Sequence, residues 1–349
     1  MSADQPLQLA ATGHDLLFTH AVLWGAASIA VAAGHRDVRL GWSGRMDRVP
    51  SLYGVAVTDL ALAVRQRAAD ALNAEHWIQA GLPHEPARAL FSPRIKALEA
   101  PQAWAPFQSS RHDHVDRLGV SRSLLDLRLL AALGEPSSWH SDRGKPKQDH
   151  AASRLEMQPR NHGSEFVGTR LRSLATAVAA RTIADVAAGL TGAIRVDEVG
   201  KGDQVSYAGA NLMPPRATDN ALAWAAMWGL SCAPVVHRVH QPSRTATHLP
   251  RPRDGALGDE VRAGHVVVPI WSSRWTVARL TSVLASGQLA ESGGASLGSG
   301  APAAGAEQWL RERGVVALVT VPIHTFGSTS SPERRAMAGR SATLGLSAS

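Results

Sequence analysis

Cysteine is almost absent: Cys232 is the only one in 349 residues. That excludes an intramolecular disulfide and any zinc site built from several cysteines. The thiol sits in an apolar run, which predicts a buried, inert side chain. Lysine is nearly as scarce: the 36 lysines and arginines include only Lys96, Lys145, Lys147 and Lys201. The positive charge is therefore almost all guanidinium. Met1 to Ala11 lacks a basic segment followed by an apolar core, so no signal peptide is expected. The longest apolar run, Leu16 to Ala33, is interrupted by Thr19, His20 and Ser28 and reads as a buried helix rather than a membrane span. A soluble cytoplasmic protein with no membrane partner is the expectation. The Walker loop, the Rossmann glycine pattern, the nucleophile elbow and the HExxH motif are all missing. No repeat of fixed period is visible, and no nucleophile, base and orienting group come together in the sequence. The chain reads as a binding protein, with no catalytic residues, metal or cofactor expected.

What is present is a core-forming fraction of 44% hydrophobic residues and a formal net charge of +7, with a sequence pI of about 10.4. Guanidinium forks grip phosphates in a bidentate manner, and a basic balance points toward nucleic acid. A GC-rich genome would produce the same arginine bias without function.

The elements read in order. Gly13 to Ala33 predicts a helix ended by Gly34, and Val38 to Trp42 a strand that turns at Ser43-Gly44. Asp59 to Ala80 predicts a second helix. Five prolines make Pro83 to Phe107 read as irregular, and Ser121 to Leu133 reads as a compact helix. Gly134 to Arg160 is polar and predicts a loop. Ser164 to Leu190 predicts a helix, capped by Ser164 and interrupted or ended near Gly189, with Val167, Leu171, Leu174 and Val178 on its apolar stripe and Arg170, Arg172 and Arg181 off it. Ala193 to Val199 and Val205 to Tyr207 read as a hairpin with Lys201 at its tip. Thr218 or Asp219 caps a helix running to Cys232. Val235 to Leu249 reads as a strand pair. Val266 to Trp271 predicts a strand, Thr276 to Leu284 a helix, Glu291 to Gly305 a flexible loop, Val315 to Val321 a strand, and Gly327 to Ser349 a frayed tail. The fold class is α+β, with small antiparallel sheets and an irregular polar central loop. The expected division is an N-terminal α+β region at 1–135, a central basic region at 136–290, and a C-terminal part at 291–349.

Between Arg143 and Arg172 seven basic residues face three acidic ones. The candidate nucleic-acid contacts are Lys145, Lys147, Arg154, Arg160, Asn161, Arg170, Arg172 and Lys201. Arg238 and Arg244 join them from an acid-free basic run between Pro234 and Arg253. Asn161 could read an adenine edge and Arg160 a guanine edge. A solvated basic face is the blander reading of the same spacing. His112, Asp113 and His114, with Asp116, form the sharpest chemical cluster. Such a pair can bind a metal that activates water for phosphodiester cleavage, but further ligands at a recognisable spacing are lacking. Trp24, Trp228, Trp271 and Trp275 lie in apolar runs, where core packing is the default and base stacking the alternative.

Three stretches carry a family resemblance: Leu155 to Phe166 (LEMQPRNHGSEF), Asp219 to Leu230 (DNALAWAAMWGL) and Val268 to Thr276 (VPIWSSRWT). With the helix–strand start at Leu16 to Trp42, they resemble the compact large-subunit proteins of type I-G (formerly I-U) CRISPR effector complexes, the Csb-type Cascade proteins. The likeness spans roughly Leu16 to Val321 and rests on packing motifs rather than catalytic signatures. The resemblance implies a non-enzymatic subunit at the foot of a crRNA-guided complex. Its partners would be crRNA, target double-stranded DNA, the backbone and foot subunits, and a transiently recruited helicase–nuclease. It would recognise the protospacer-adjacent motif and help open the duplex. The alternatives are a metal-dependent nuclease using His112, Asp113 and His114, and a guide-RNA-binding or processing subunit of the same complex.

Overall fold

The computed structural model describes residues 5–11, 13–44, 48–83, 85–92, 101–133, 139–142, 145–148, 166–234, 252–253, 256–257, 264–297, 304–328 and 331–345. It is an α+β fold. After the short strand β1 (Leu7–Gln8) comes helix α1 (Leu17–Ala32), buried along nearly its whole length. Strands β2 (Arg39–Ser43) and β3 (Val49–Tyr53) complete an antiparallel sheet in the order β1-β3-β2. Helix α2 (Val57–Asp70), the hairpin of β4 (Gly81–Leu82) and β5 (Glu85–Ala89), helices α3 (Pro101–Val120) and α4 (Leu124–Ala132), and the hairpin of β6 (Trp139–Asp142) and β7 (Lys145–Gln148) follow.

A π-helical turn, Phe166–Leu171, leads into α5 (Arg172–Ala180), then α6 (Ile183–Thr191) and α7 (Asn220–Gly229), which closes in a 3-10 turn, Leu230–Cys232. The hairpin of β8 (Pro252–Arg253) and β9 (Ala256–Leu257) precedes β10 (His265–Trp271), α8 (Val277–Leu284), α9 (Gly287–Ser296) and α10 (Ala304–Glu312). Strand β11 (Val315–Ser328) pairs antiparallel with β10, β12 (Ser331–Ala336) and β13 (Arg340–Thr343).

The heart of the molecule is the crossing of α1 and α7. A β-carbon on Gly25 would lie 1.7 Å from the Ala225 carbonyl oxygen, and one on Gly229 2.1 Å from that of Ala21. Only small residues let two backbones approach so closely, and that approach leaves Trp24, Trp224 and Trp228 fully buried around the contact. One hydrophobic cluster runs from Leu9 to Leu344. Among the described residues no single helix is long and apolar enough to cross a membrane.

Several sequence expectations give way to tertiary context. The helix expected to reach Ala80 stops at Asp70; turns follow, and they bury Trp77. Pro83 to Phe107 is not irregular throughout. It contains β5 and the start of α3, where Pro101 occupies the first position, at which its missing N–H and fixed φ are harmless. The polar stretch from Gly134 contains the β6–β7 hairpin. The helix expected from Ser164 to Leu190 is broken at Arg181-Thr182, where the two halves meet at 117°. Ala193 to Tyr207 forms turns rather than a hairpin. The stretch expected to be a loop from Glu291 is helical through Ser296, because Ser286 caps α9 and Leu289 and Ala290 are buried. The tail expected to fray is sewn back instead: Ala336 N–H donates to Asn211 O at 2.9 Å, Gly339 N–H to Asp15 O at 2.8 Å, and Leu344 N–H to Val316 O at 3.0 Å.

Candidate nucleic-acid interface

The stretch around which the site was expected begins outside the described residues. Ser164 as a cap, Arg154, Arg160 and Asn161 all lie there, as do Arg238 and Arg244. From Phe166 onward the apolar stripe is as expected: Val167, Leu171, Leu174 and Val178 are fully buried. The arginines beside it turn inward. Arg172 donates from Nε to Ile78 O at 2.8 Å and from Nη2 to Ala80 O at 3.3 Å, fastening α5 to the turn after α2. Arg170 is half-buried; burial lowers the pKa of its guanidinium, against the pull of the Asp197 carboxylate. Arg181 is buried in an ion-pair network, at 2.8 Å from Asp219 and 2.6 Å from Glu198. Burial opposes its charge, but Glu198 and Asp219 outweigh that and hold the guanidinium above the ordinary arginine range.

These contacts organise the turns at 193–219. Asp197 accepts from Gly200 N–H at 2.7 Å, Thr218 N–H at 3.2 Å and Asn220 Nδ2 at 2.9 Å. Asp219 accepts from Val196 N–H at 3.0 Å and from Ala221 N–H at 2.8 Å, so the same carboxylate that neutralises Arg181 caps α7. Lys201 sits exposed on this scaffold with a left-handed φ of 56°. Lys145 and Lys147 stand on β7, in register with Asp142 and His140. The structure thus brings Arg170 and the Lys201 turn to a common carboxylate, Asp197, and assigns Arg172 to a different neighbour.

The His112-Asp113-His114 cluster lies on α3. Successive helical residues are about 100° apart, so His112 and His114 fan to opposite sides and cannot converge on one ion. His112 and Asp113 are exposed, while the His114 ring nitrogen Nδ1 lies 2.8 Å from Ser110 O. Among the described residues no group of three His, Cys, Asp or Glu side chains could hold a metal ion. Cys232 is buried, 3.5 Å from the Ser28 hydroxyl, and burial pushes its thiol pKa up. Trp24, Trp228, Trp271 and Trp275 are all core residues.

A set of cations that sequence spacing did not single out gathers at the end of β10. The residues Ser272 to Thr276 are clamped on two sides. Trp275 exchanges backbone hydrogen bonds of 2.8 Å with Leu40 of β2, and Ser272 N–H donates to Gly314 O at 2.9 Å. Trp271 and Trp275 stack beneath, with centroids 4.4 Å apart. On this base Arg274 lies 4.2 Å over Tyr53, the register partner of Arg39, and Arg313 lies 3.5 Å over Trp309. Arg279 joins the two ends by donating from Nη2 to Arg313 O at 2.8 Å. Arg39, Arg279 and Arg313 donate to backbone carbonyls, and among the described residues no carboxylate neutralises them. The four arginines come from three separated segments. The only local signal was Ser-Ser-Arg-Trp-Thr following an apolar strand.

No known protein family, curated protein or solved structure matches the chain.

Proposed function

We propose that the chain is a non-catalytic, nucleic-acid-binding large subunit of a crRNA-guided type I CRISPR surveillance complex, acting in recognition of the protospacer-adjacent motif and in opening the target duplex. The observation that carries the nucleic-acid part is the set of surface cations that no carboxylate neutralises among the described residues: Lys201 on its exposed turn, and Arg39, Arg279 and Arg313 beside β10. Uncompensated guanidinium groups are what a phosphate backbone requires. The assignment to a CRISPR complex is supported by the resemblance of Leu155 to Phe166, Asp219 to Leu230 and Val268 to Thr276. The last two of these form α7 with its cap and β10 with its clamp, which is consistent with their being packing motifs.

Co-expression with guide RNA and backbone subunits tests the assignment. The chain is expected to co-purify with the guide RNA. The combined variant Lys145→Glu, Lys147→Glu and Arg160→Glu should lower target-duplex affinity at least ~10-fold without disturbing assembly. Arg172 is left out because its bonds to Ile78 and Ala80 make its reversal a test of folding. A chain that never associates with guide RNA contradicts the assignment, and unchanged duplex affinity in the variant removes those residues from the interface.

A further inference from the structure

We infer that the arginine strip beside β10, formed by Arg39, Arg274, Arg279 and Arg313, is a binding track for single-stranded nucleic acid; this rests on the nucleic-acid reading above and names the ligand and the place.

Charge is the first reason. Arg274 and Arg279 are exposed and Arg39 and Arg313 half-buried. The hydrogen bonds of Arg39, Arg279 and Arg313 run to the carbonyls of Arg36, Val38, Arg313 and Trp309. A carbonyl orients a guanidinium without cancelling its charge, so Arg39, Arg279 and Arg313 keep their positive charge at the surface of the strip. The neighbouring acid, Glu312, accepts from Gln308 Nε2 at 3.0 Å instead.

The second reason is shape. Arg313 lies 3.5 Å over Trp309 and Arg274 4.2 Å over Tyr53. A guanidinium laid on an aromatic ring is held flat, and a flat guanidinium is a platform on which an unpaired base stacks. Bases in a duplex are already stacked and do not offer their faces. Guanidinium groups that carry charge for phosphates and also offer stacking faces therefore fit an unpaired strand better than a duplex.

The third reason is rigidity. The strip is mounted on the clamp between Leu40, Trp275 and Gly314, over the stacked pair Trp271 and Trp275. A preorganised surface loses little side-chain freedom on binding. None of the four arginines belongs to the stretch Lys145 to Arg172, which sequence spacing offered for duplex contact.

The full-length chain is titrated with a fluorescein-labelled pyrimidine DNA strand, the equivalent RNA strand and the matching DNA duplex. The probes are read by anisotropy. The variant Arg274→Ala, Arg279→Ala and Arg313→Ala should lose at least ~10-fold in affinity for the strands and less for the duplex. The corresponding triple Lys variant keeps the charge without the plane and should recover only part of the loss. Arg88→Ala, which removes an exposed arginine paired with Glu85, should match the wild type. Thermal melts establish that each variant is folded, and the Lys variant serves alone if the Ala variant is not. Full recovery with Lys, or strand affinity untouched in a folded variant, overturns the track. A loss confined to the duplex overturns the strand assignment. A wild-type chain that binds none of the three probes overturns the nucleic-acid reading itself.

Discussion

His20 shows how much a single side chain can set the acid behaviour of this protein. It is fully buried between Trp24 and Trp42. Its Nε2 donates to His14 O at 2.8 Å, and Nδ1 has no hydrogen-bond partner among the described residues. Burial lowers its pKa from 6.5 to about 3, only partly offset by the bond to His14. The unfolded chain therefore takes the proton more readily than the folded one. The stabilisation is complete above about 6.5 and is lost as the pH falls from there toward 3. Urea unfolding should show stability falling by up to ~1.4 kcal/mol per pH unit in that window from this residue alone. A His20→Leu variant should lose that part of the slope; an unchanged slope would contradict the account. Asp219 makes the second case at this scale. It neutralises buried Arg181 and caps α7, so Asp219→Ala should cost about 3 kcal/mol in urea unfolding. A cost below ~1 kcal/mol would show that Glu198 alone satisfies Arg181. Sequence spacing marked Asp219 as a possible cap, but the partner across 38 residues was invisible to it.

Among the elements, α1 and α7 depend on glycines that touch. Gly25→Val should cost more than the ~1–3 kcal/mol usual for overpacking, because its β-carbon meets a backbone oxygen that cannot step aside. Gly119 near the end of α3 is the control. Nothing lies within 4 Å of its would-be β-carbon, so Gly119→Ala should raise stability by up to ~1 kcal/mol. Thermal melts of both variants check this; equal effects would mean that the close approach is not limiting. The elements legible in the sequence were those whose signal is local. Apolar runs gave α1, α7 and β10, and Asp219 and Thr276 marked where α7 and α8 begin. Those that were missed owe their shape to distant partners. The Ala193 to Tyr207 stretch has strand-like Val and Ile residues, yet Asp197 takes the Gly200 N–H and Asp219 that of Val196, and the chain turns instead. The Gly- and Ser-rich α9 and the small, polar strands β12 and β13 offer weak propensity. They form because α9 buries Leu289 against the core and β11 supplies an edge to pair with.

For the molecule as a whole, the question is where its 36 lysines and arginines are used. Some of them lie inside. Arg181 and Arg67 meet buried carboxylates, Asp219 and Asp126, and Arg111 lies buried over Phe91 and Phe107, where burial lowers its pKa to about 9. A spacing argument could not tell these from surface arginines, since it sees which residues share a face but not what covers that face. Nor could it assemble the β10 strip, whose members come from residues 39, 274–279 and 313 and meet only after the sheet and α8 are in place. What remains outside is the claim under test: guanidinium groups without carboxylate partners hold a phosphate backbone, and the surface breaks no bond in it. The salt dependence of single-strand affinity addresses it most directly. Four arginine–phosphate contacts predict a linear fall of log K with log salt, with a slope of about −3 for the wild type and about −0.7, from the remaining Arg39, for the Arg274→Ala, Arg279→Ala and Arg313→Ala variant. Undetectable binding at low salt, or the same slope in both proteins, would contradict it.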